Sequence, residues 1–374
     1  MNVVIKIEKD KKKGIVSFMK SLLEKGIVNQ ILLPMKTPTK TSFAYILTKK
    51  PDILDNCDPI APVMPIQGAR IVSKLTKKGP LKGVTAVILR PCELRALREL
   101  VKLRQAQLNG LLTISFDCPG VFPLRDYLNG DKEKMDEIFW QAINRCELEG
   151  SRPLCSICHL FTGELADIEI GFGGIEPDTI CLTSHSEIGE RALHELGYEE
   201  ATLENRQIYL AEIKERKLAK RKEFFEEFRH KIKGPERIMA VLTNCINCHN
   251  CMRVCPICFC RECFFDSDTF KVSPEDYMLR AERKGGLRFM PDTLLFHLGR
   301  MNHMSISCVA CGMCEDACPT SVPVARIFAL VANETQALFN YIPGKDLEEP
   351  IPYLTYQEEE LKEYEQPYTE EYAP

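Results

Sequence analysis

The feature that most constrains this chain is a cysteine motif that occurs twice in its C-terminal half. The copies read NCINCHNCMRVCP and SCVACGMCEDACP, each with four cysteines at gaps of two, two and three and a proline directly behind the last. Three cysteines at gaps of two surround one iron–sulfur cube, and the fourth ligates the other cube. The spacing therefore predicts two 4Fe-4S clusters, one held by Cys245, Cys248, Cys251 and Cys318 and the other by Cys308, Cys311, Cys314 and Cys255.

A structural zinc site is the alternative explanation for these cysteines, and it would make the chain a non-redox scaffold. Zinc sites usually pair two CxxC units and do not need a third and fourth cysteine at these offsets. The segment between the two motifs, residues 264–307, has helical patterns and little strand signal. We therefore predict a mainly α-helical dicluster ferredoxin domain over residues 235–335.

The N-terminal part carries the pattern of an α/β domain. Residues 84–89 (VTAVIL) and 111–116 (LLTISF) are short apolar runs that predict buried strands, and residues 93–108 between them have helical spacing. Strand, helix and strand with short joints predict a parallel pair. Cys92 and Cys118 follow the carboxyl ends of these strands, so we expect both at the ligand-binding edge of the sheet.

Two more cysteines, Cys155 and Cys158, form a CxxC loop, and with the strand-end pair they make a possible third metal site. Isolated cysteines are also commonly buried as small apolar groups, and that possibility stays open at this point. Cys146 competes as a ligand. Its place on the apolar face of a predicted helix over 131–147 favours core packing instead.

The end of a charged helical segment, residues 205–233, sets the expected domain boundary. Gly234 and Pro235 follow it directly, so we predict an α/β domain over 1–234, the helical domain over 235–335 and an extended tail over 336–374. Residues 346–374 have a net charge of −9 and five tyrosines. Such a tail is suited either to a basic groove on a partner or to a solubilising role.

A resemblance to a known family rests on three stretches, ILRPCELRAL, ISFDCPG and CSICHLFTGELADIEIGFGG. They are similar, in order, to the beta-subunit family of coenzyme-deazaflavin hydrogenases and dehydrogenases, which includes formate dehydrogenase beta subunits. SCVACGMCEDACP after HLGRMNHM is similar to the dicluster half of those subunits. The chain departs from many relatives at Arg90, which precedes Pro91 and Cys92, and at His159 to Phe161 after the CxxC pair.

The resemblance implies a bound FAD and a third 4Fe-4S cluster. Carried over by position, Cys92, Cys118, Cys155 and Cys158 are the implied ligands of that cluster. Glycines let backbone amides approach a pyrophosphate, and an arginine can pair with it. The implied FAD residues are Gln67, Gly68, Ala69, Arg70, Thr162, Glu164, Asp167, Gly171, Gly173 and Gly174.

These features predict an iron–sulfur flavoprotein subunit of a multi-subunit oxidoreductase. We expect it to link a formate dehydrogenase or hydrogenase type catalytic subunit to a heterodisulfide-reductase-like or other redox carrier. The alternative is a self-sufficient FAD-dependent dehydrogenase that acts on a deazaflavin coenzyme or NAD(P). A net charge of −4 argues against nucleic-acid binding. The N-terminus lacks a signal-peptide pattern and no apolar run is long enough to span a bilayer, so we expect a cytoplasmic protein without direct membrane insertion.

Three cysteines in PICFCREC remain without an assigned role: Cys258, Cys260 and Cys263. They could support a further metal only if another cysteine, such as Cys57 or Cys181, joined them. Packing around the neighbouring clusters is the alternative.

Overall fold

The computed structural model describes residues 1–7, 10–270, 272–286 and 292–355. Residues 356–374 of the predicted acidic tail lie outside the described residues, so the expected docking of the tail on a partner stays a prediction.

Seven strands form one mixed sheet in the N-terminal part: β1 (Asn2–Lys6), β2 (Gln30–Lys36), β3 (Phe43–Thr48), β4 (Thr85–Ile88), β5 (Leu111–Phe116), β6 (Ile168–Gly171) and β7 (Thr179–Ser184). Their order is β1-β7-β6-β5-β4-β2-β3. The central strands β2, β4, β5 and β6 are parallel neighbours, with Ile88 of β4 opposite Ile114 of β5. The pairings of β7 with β1 and β6, and of β3 with β2, are antiparallel. The predicted parallel pair is thus confirmed.

Fourteen α-helices occur within the described ranges: α1 (Lys11–Glu24), α2 (Gly68–Thr76), α3 (Pro91–Lys102), α4 (Leu124–Asn129), α5 (Lys132–Ala142), α6 (Pro153–Ser156), α7 (Glu187–Glu195), α8 (Glu204–Ile232), α9 (Pro235–Leu242), α10 (Asn250–Arg253), α11 (Pro274–Lys284), α12 (Thr293–Met304), α13 (Met313–Asp316) and α14 (Val324–Leu338). Short 3-10 helices add Pro51–Asn56, Ile143–Arg145, Phe264–Asp266 and Pro352–Leu354. The C-terminal part contains helices and no named strand among its described residues.

Helix α3 is shorter than the sequence pattern predicts. It begins at Pro91, whose fixed φ suits the first turn, and the Glu93 carboxylate accepts the Arg90 N–H at 2.9 Å. It ends near Lys102 because Arg104 adopts a left-handed conformation, with φ of 58°. Crossed backbone bonds of the Schellman type close that end, so the helix ends before residue 108, the last residue with predicted helical spacing.

Alternation along the strands builds two apolar layers, one on each face of the sheet. Ala86 and Ile88 of β4 point into one layer, and Val87 points into the other. The second layer continues into the dicluster helices, where it includes Phe328 of α14 and Phe228 of α8. The C-terminal helices therefore pack on one face of the sheet and share a core with it.

Buried polar contacts fix the two parts against each other. Arg152 pairs with Asp316 at 2.5 Å, and the Arg95 guanidinium donates to the Val309 carbonyl at 2.9 Å. The first described residues of the predicted tail also pack here, because Tyr341 is buried and donates to Glu99. Residues 336–338 belong to α14, and the segment around Tyr341 and Gly344 packs against Glu99 of α3, so this part of the predicted tail is not an extended chain.

Candidate metal centres

Both cysteine motifs fold into the same loop. The backbone is left-handed at matching offsets in each copy, with φ of 56° at Asn247 and 59° at His249, and φ of 55° at Ala310 and 79° at Gly312. Left-handed residues that alternate with right-handed ones turn successive N–H groups toward one side and form an anion-binding concavity. The two loops are thus built for the same negatively charged group although their sequences differ.

The first left-handed residue of each loop contacts the first cysteine in the same way. The Asn247 N–H donates to the Cys245 sulfur, and the Ala310 N–H donates to the Cys308 sulfur. Each bond opposes the rise in thiol pKa that burial causes, because it stabilises the thiolate. Bonds of this kind to cluster sulfurs also influence the reduction potential.

The structure brings the first predicted ligand set together. Burial raises the pKa of the Cys251 thiol to about 11, and the Arg300 guanidinium lowers it. Three nearby thiolates raise it further by repulsion: Cys245, Cys248 and Cys318. The fourth cysteine thus reaches this set from the other motif, as the spacing predicts.

The second predicted set also lies together. Its members bound one enclosed cavity: Cys255, Cys308, Cys311 and Cys314. Burial raises the pKa of the Cys314 thiol well above its ordinary value, and the Cys255 thiolate adds to this rise. A cysteine from the first motif therefore completes the second set.

The third set meets at the carboxyl edge of the sheet. Burial raises the pKa of Cys155 to about 11, the nearby Arg152 lowers it, and Cys118 and Cys158 raise it. The loop that carries Cys155 can approach Cys118 because Gly120, which lies against this loop, has no side chain. Its φ is 113°, and a Cβ there would be 3.0 Å from the Cβ of Cys155.

The second and third sets are neighbours. Burial raises the pKa of Cys92, and the largest electrostatic addition comes from Cys311 of the second set. Cys158 and Cys308 also line one shared cavity. The three cysteine sets thus form a series, with the second set in the middle.

Arg300, which sequence reasoning did not single out, lies between the first and second sets. Its side chain is buried, Nη1 donates to the Cys251 sulfur at 3.1 Å, and Nη2 is 3.8 Å from the Cys258 sulfur. Burial lowers the pKa of its guanidinium, but the surrounding cysteines raise it by more, beginning with Cys251. Arg300 is therefore a fixed positive charge beside two centres that would carry negative charge.

The third set has its own buried arginine at a position where the sequence departs from many relatives. Arg90 lies 3.8 Å from the Cys118 sulfur and donates to the Ala61 carbonyl. This contact was not predicted, although Arg90 and Cys118 follow adjacent parallel strands that end at the same edge of the sheet.

Two histidines accompany the first set in different ways. His297 lies 3.4 Å from the Cys245 sulfur, and burial lowers the pKa of its imidazole to about 4, so it is neutral near pH 7. His249 instead stacks on Phe296 and bonds to Asp266 at 3.0 Å. It is the residue directly before α10.

Among the described residues, no three His, Cys, Asp or Glu side chains are close enough to share one metal ion. The four thiolates of a 4Fe-4S cluster bind different iron atoms, so they need not converge on a single ion.

The implied FAD residues do not form one cleft. Gln67 is buried at the start of α2, and the Gly68 N–H donates to Glu93 at 2.6 Å. A Cβ at Gly68 would lie 2.6 Å from the hydroxyl of Tyr45, so protein atoms already fill this turn. Ala69 is also buried, and its N–H donates to the Gln67 side chain. Arg70 alone of this group lines a large cavity.

The middle members of the FAD set are divided between two places. Thr162 and Glu164 line a cavity of about 80 Å³ beside Lys214. Asp167 accepts from the Thr113 N–H at 2.8 Å and from the Ser186 hydroxyl at 2.6 Å, so it holds β5 and α7 together.

The glycine-rich turn at the end of β6, residues 171–174, packs against α8 and leaves no space for a pyrophosphate. A Cβ at Gly171 would be 2.5 Å from Cζ of Arg206, and one at Gly174 would be 2.8 Å from Cα of Arg206. A Cβ at Gly173 would lie 3.0 Å from the Tyr209 ring. The predicted FAD residues, taken as one set, therefore do not fit the cofactor.

Arg206, also missed from the sequence, is the centre of a buried ionic network. Its guanidinium contacts Asp117 and Glu169, each at 2.6 Å. Asp117 in turn accepts the N–H groups of Phe172 and Gly173, at 2.8 and 3.1 Å. The network fixes the residue directly before Cys118.

The remaining cysteines occupy separate surroundings. Cys146 packs with Phe161 and Ile213 in a small core, so the expected core packing holds. The helix predicted over 131–147 is too long, because α5 ends at Ala142 and Cys146 follows a 3-10 turn with φ of 52°. Cys57 is buried in one apolar layer of the sheet domain and Cys181 is in β7, whereas the partly buried cysteines of the PICFCREC loop pack against the other layer. Neither Cys57 nor Cys181 therefore joins that loop as a further ligand. In that loop Cys258 and Cys263 contact methionine sulfurs, and Cys260 is exposed.

None of the helices in the described ranges combines the length and apolar character needed to cross a bilayer.

Comparison with known proteins confirms the dicluster prediction. A family model described as a 4Fe-4S dicluster domain matches residues 241–322. The C-terminal part is therefore a 4Fe-4S dicluster domain, and the N-terminal part is a mixed sheet covered by helices.

Curated relatives confirm the resemblance and the class of oxidoreductase subunits. The F420-dependent formate dehydrogenase subunit beta of Methanocaldococcus jannaschii is 27% identical over 369 residues, covering 89% of this chain and 92% of the relative. The F420-dependent formate dehydrogenase 1 subunit beta of Methanococcus maripaludis is 27% identical over 375 residues, covering 90% and 92%. A chain of the F420-reducing NiFe hydrogenase complex from Methanosarcina barkeri aligns with a TM-score of 0.44 and 14% identity, covering 61% of this chain and 91% of that chain.

Proposed function

We propose that this chain is the iron–sulfur electron-transfer subunit of a multi-subunit oxidoreductase and holds three 4Fe-4S clusters. One observation supports this most strongly: three cysteine sets lie in series, since Cys92 of the third and Cys311 of the second pack against the same small apolar cluster. The second set in turn takes Cys255 from the motif that supplies most of the first. Each 4Fe-4S cluster exchanges one electron at a time, so such a series conducts electrons through the chain.

The two ends of this series differ in exposure. Cys248 of the first set is exposed, whereas the other cysteines of that set are partly or fully buried. The third set lies at the carboxyl edge of the sheet, where open α/β folds bind ligands. We propose that one redox partner docks near Cys248, at one end of the series. At the other end, electrons enter or leave at the carboxyl edge of the sheet.

The names of the relatives support a catalytic subunit as one partner in the proposal. Both are named as beta subunits of formate dehydrogenases, which favours a catalytic dehydrogenase or hydrogenase subunit as one partner. We propose a heterodisulfide-reductase-like carrier as the other, FAD as a further cofactor and the cytoplasm as the compartment. Co-purification of the native complex under anaerobic conditions would identify the partners, and isolation of the chain with neither type would contradict this part.

Iron and sulfide analysis of the anaerobically purified chain tests the central proposal. We expect about twelve irons and twelve sulfides per chain, four of each for every cluster. Cys318→Ser is expected to impair the first cluster and lower the iron content by up to about four. Cys260→Ser is the matched control because Cys260 is an exposed cysteine of the same domain outside all three sets. A colourless wild-type protein with zinc in place of iron would refute the proposal.

A second function is favoured by the names of both relatives, which describe F420-dependent formate dehydrogenase subunits. In that case the chain itself would be a self-sufficient dehydrogenase that oxidises or reduces a deazaflavin coenzyme or NAD(P). Stopped-flow mixing of the isolated chain with the reduced deazaflavin or with NAD(P)H separates the two functions. A passive relay would show no bleaching of its visible absorption without its partner.

A further inference from the structure

A large cavity lies in the dicluster domain, beside the PICFCREC loop. Its volume is about 620 Å³, and the loop, helix α12 and Arg70 from α2 form its walls. Small-molecule and cofactor sites are typically about 300–1,000 Å³. The cavity is therefore large enough for a nucleotide, and it is not among the sites that the sequence predicted.

The walls of the cavity are strongly basic. Among its described lining residues are four arginines and a single carboxylate, Asp266, which is already bonded to His249. The side chains of Arg70, Arg253 and Arg261 form no hydrogen bond or ion pair with any residue that the structure describes. Guanidinium groups bind phosphate through paired hydrogen bonds, so unpaired arginines around one cavity favour a phosphorylated ligand.

The fourth arginine is buried and not fully satisfied. Arg300 is 2% exposed, and its Nε has no hydrogen-bond partner among the described residues. An unsatisfied buried donor is costly, and a polar ligand in the adjoining cavity would reduce that cost.

Aromatic and thioether side chains form the apolar part of the walls. Phe259 and Phe265 lie on the loop side, and Tyr353 reaches the cavity from the C-terminal segment with half of its side chain exposed. Aromatic rings pack favourably in offset or edge-on arrangements. Together with the arginines they match a ligand that has a planar ring at one end and phosphate at the other.

The cavity also adjoins two predicted cluster sites. Arg300 lines it and contacts the Cys251 sulfur of the first set. Met304 lines it too, and its sulfur lies 3.9 Å from the Cys255 sulfur of the second set. A ligand in the cavity would therefore be one side chain away from each of two electron carriers.

We propose that this cavity binds a redox-active aromatic nucleotide that carries phosphate or pyrophosphate. The inference deepens the proposed function and rests on it for the redox character of the ligand. It also accounts for the failure of the glycine-rich turn to accommodate such a group, because the phosphates would bind the arginines of the dicluster domain instead. FAD, NAD+ and an oxidised deazaflavin nucleotide share this chemistry.

The test uses the anaerobically purified holoprotein and its Arg253→Ser/Arg261→Ser double variant. Both side chains are exposed, so their loss should leave the fold intact. FAD, NAD+ and an oxidised deazaflavin are titrated separately, with Kd measured by fluorescence quenching or calorimetry. We expect at least one probe to bind the wild type and to bind the double variant about tenfold or more weakly, since charge-assisted bonds to phosphate are lost.

Arg280→Ser/Arg283→Ser is the matched control, because these exposed arginines lie on α11 outside the cavity. Unchanged affinity in the Arg253/Arg261 variant would overturn the proposal and place the nucleotide elsewhere in the chain. Absence of binding by all three probes to wild-type protein would overturn it as well. Iron content is measured in parallel and reports separately on the cluster series, so the two proposals can fail independently.

Discussion

Replacing Arg300 by glutamine should lower the reduction potential of the first cluster. The Arg300 guanidinium is buried and 3.1 Å from the Cys251 sulfur. With about 6 Å to the centre of the cluster charge and an effective dielectric constant of about 20, Coulomb's law gives about 2.8 kcal/mol. For a one-electron couple this equals about 120 mV. The sign is negative, because the arginine stabilises the extra electron of the reduced cluster and glutamine does not.

The assay is a potentiometric titration of the anaerobic protein followed by electron paramagnetic resonance, with iron content checked in each variant. Arg283→Gln serves as the control, because its exposed charge on α11 is screened by salt and should shift the potential by less than about 30 mV. The second cluster should move in the same direction, since Cys255 and Cys314 also raise the pKa of Arg300. A variant with full iron content and an unchanged or higher potential would refute the electrostatic argument.

Two further substitutions test the sheet domain. Arg206→Met should lower the free energy of unfolding by about 3–5 kcal/mol in a urea titration, because it leaves Asp117 and Glu169 buried without their arginine partner. Arg216→Met, also on α8, breaks an exposed pair with Glu147 and should cost less than about 1 kcal/mol in the same titration. Equal urea midpoints for the two variants would contradict the burial argument. Gly120→Ala should remove up to about four irons because its Cβ would block the Cys155 loop. Gly26→Ala, also at positive φ but in open space, should retain them, and iron retention in both variants would count against the third site.

Much of the candidate site could be predicted from the sequence because its determinants are local. Cysteines at gaps of two are held by a single loop, and the crossing of Cys255 and Cys318 follows from the repeat of the motif. Cys92 and Cys118 could be placed at one edge because consecutive parallel strands end on the same side.

The early strands were not predicted, for reasons visible in the sheet. The run QILLPMK in β2 is short and continuously apolar, a pattern that does not distinguish a strand from a buried helical segment. β1 acquires its place only by pairing with β7, which lies far along the chain. Such pairings depend on the assembled sheet and leave no local pattern.

The amino-acid sequence alone predicted the two dicluster sets and the parallel unit that carries Cys92 and Cys118, whereas the third set came from the resemblance to a known family. Only the tertiary structure decided that Arg300 lies between two sets, that Arg206 and Tyr209 fill the glycine-rich turn, and that four arginines line one cavity. Ligand spacing follows from the backbone geometry of one short loop. The surroundings of a charge depend instead on side chains from distant elements, and only packing of the whole chain brings those together.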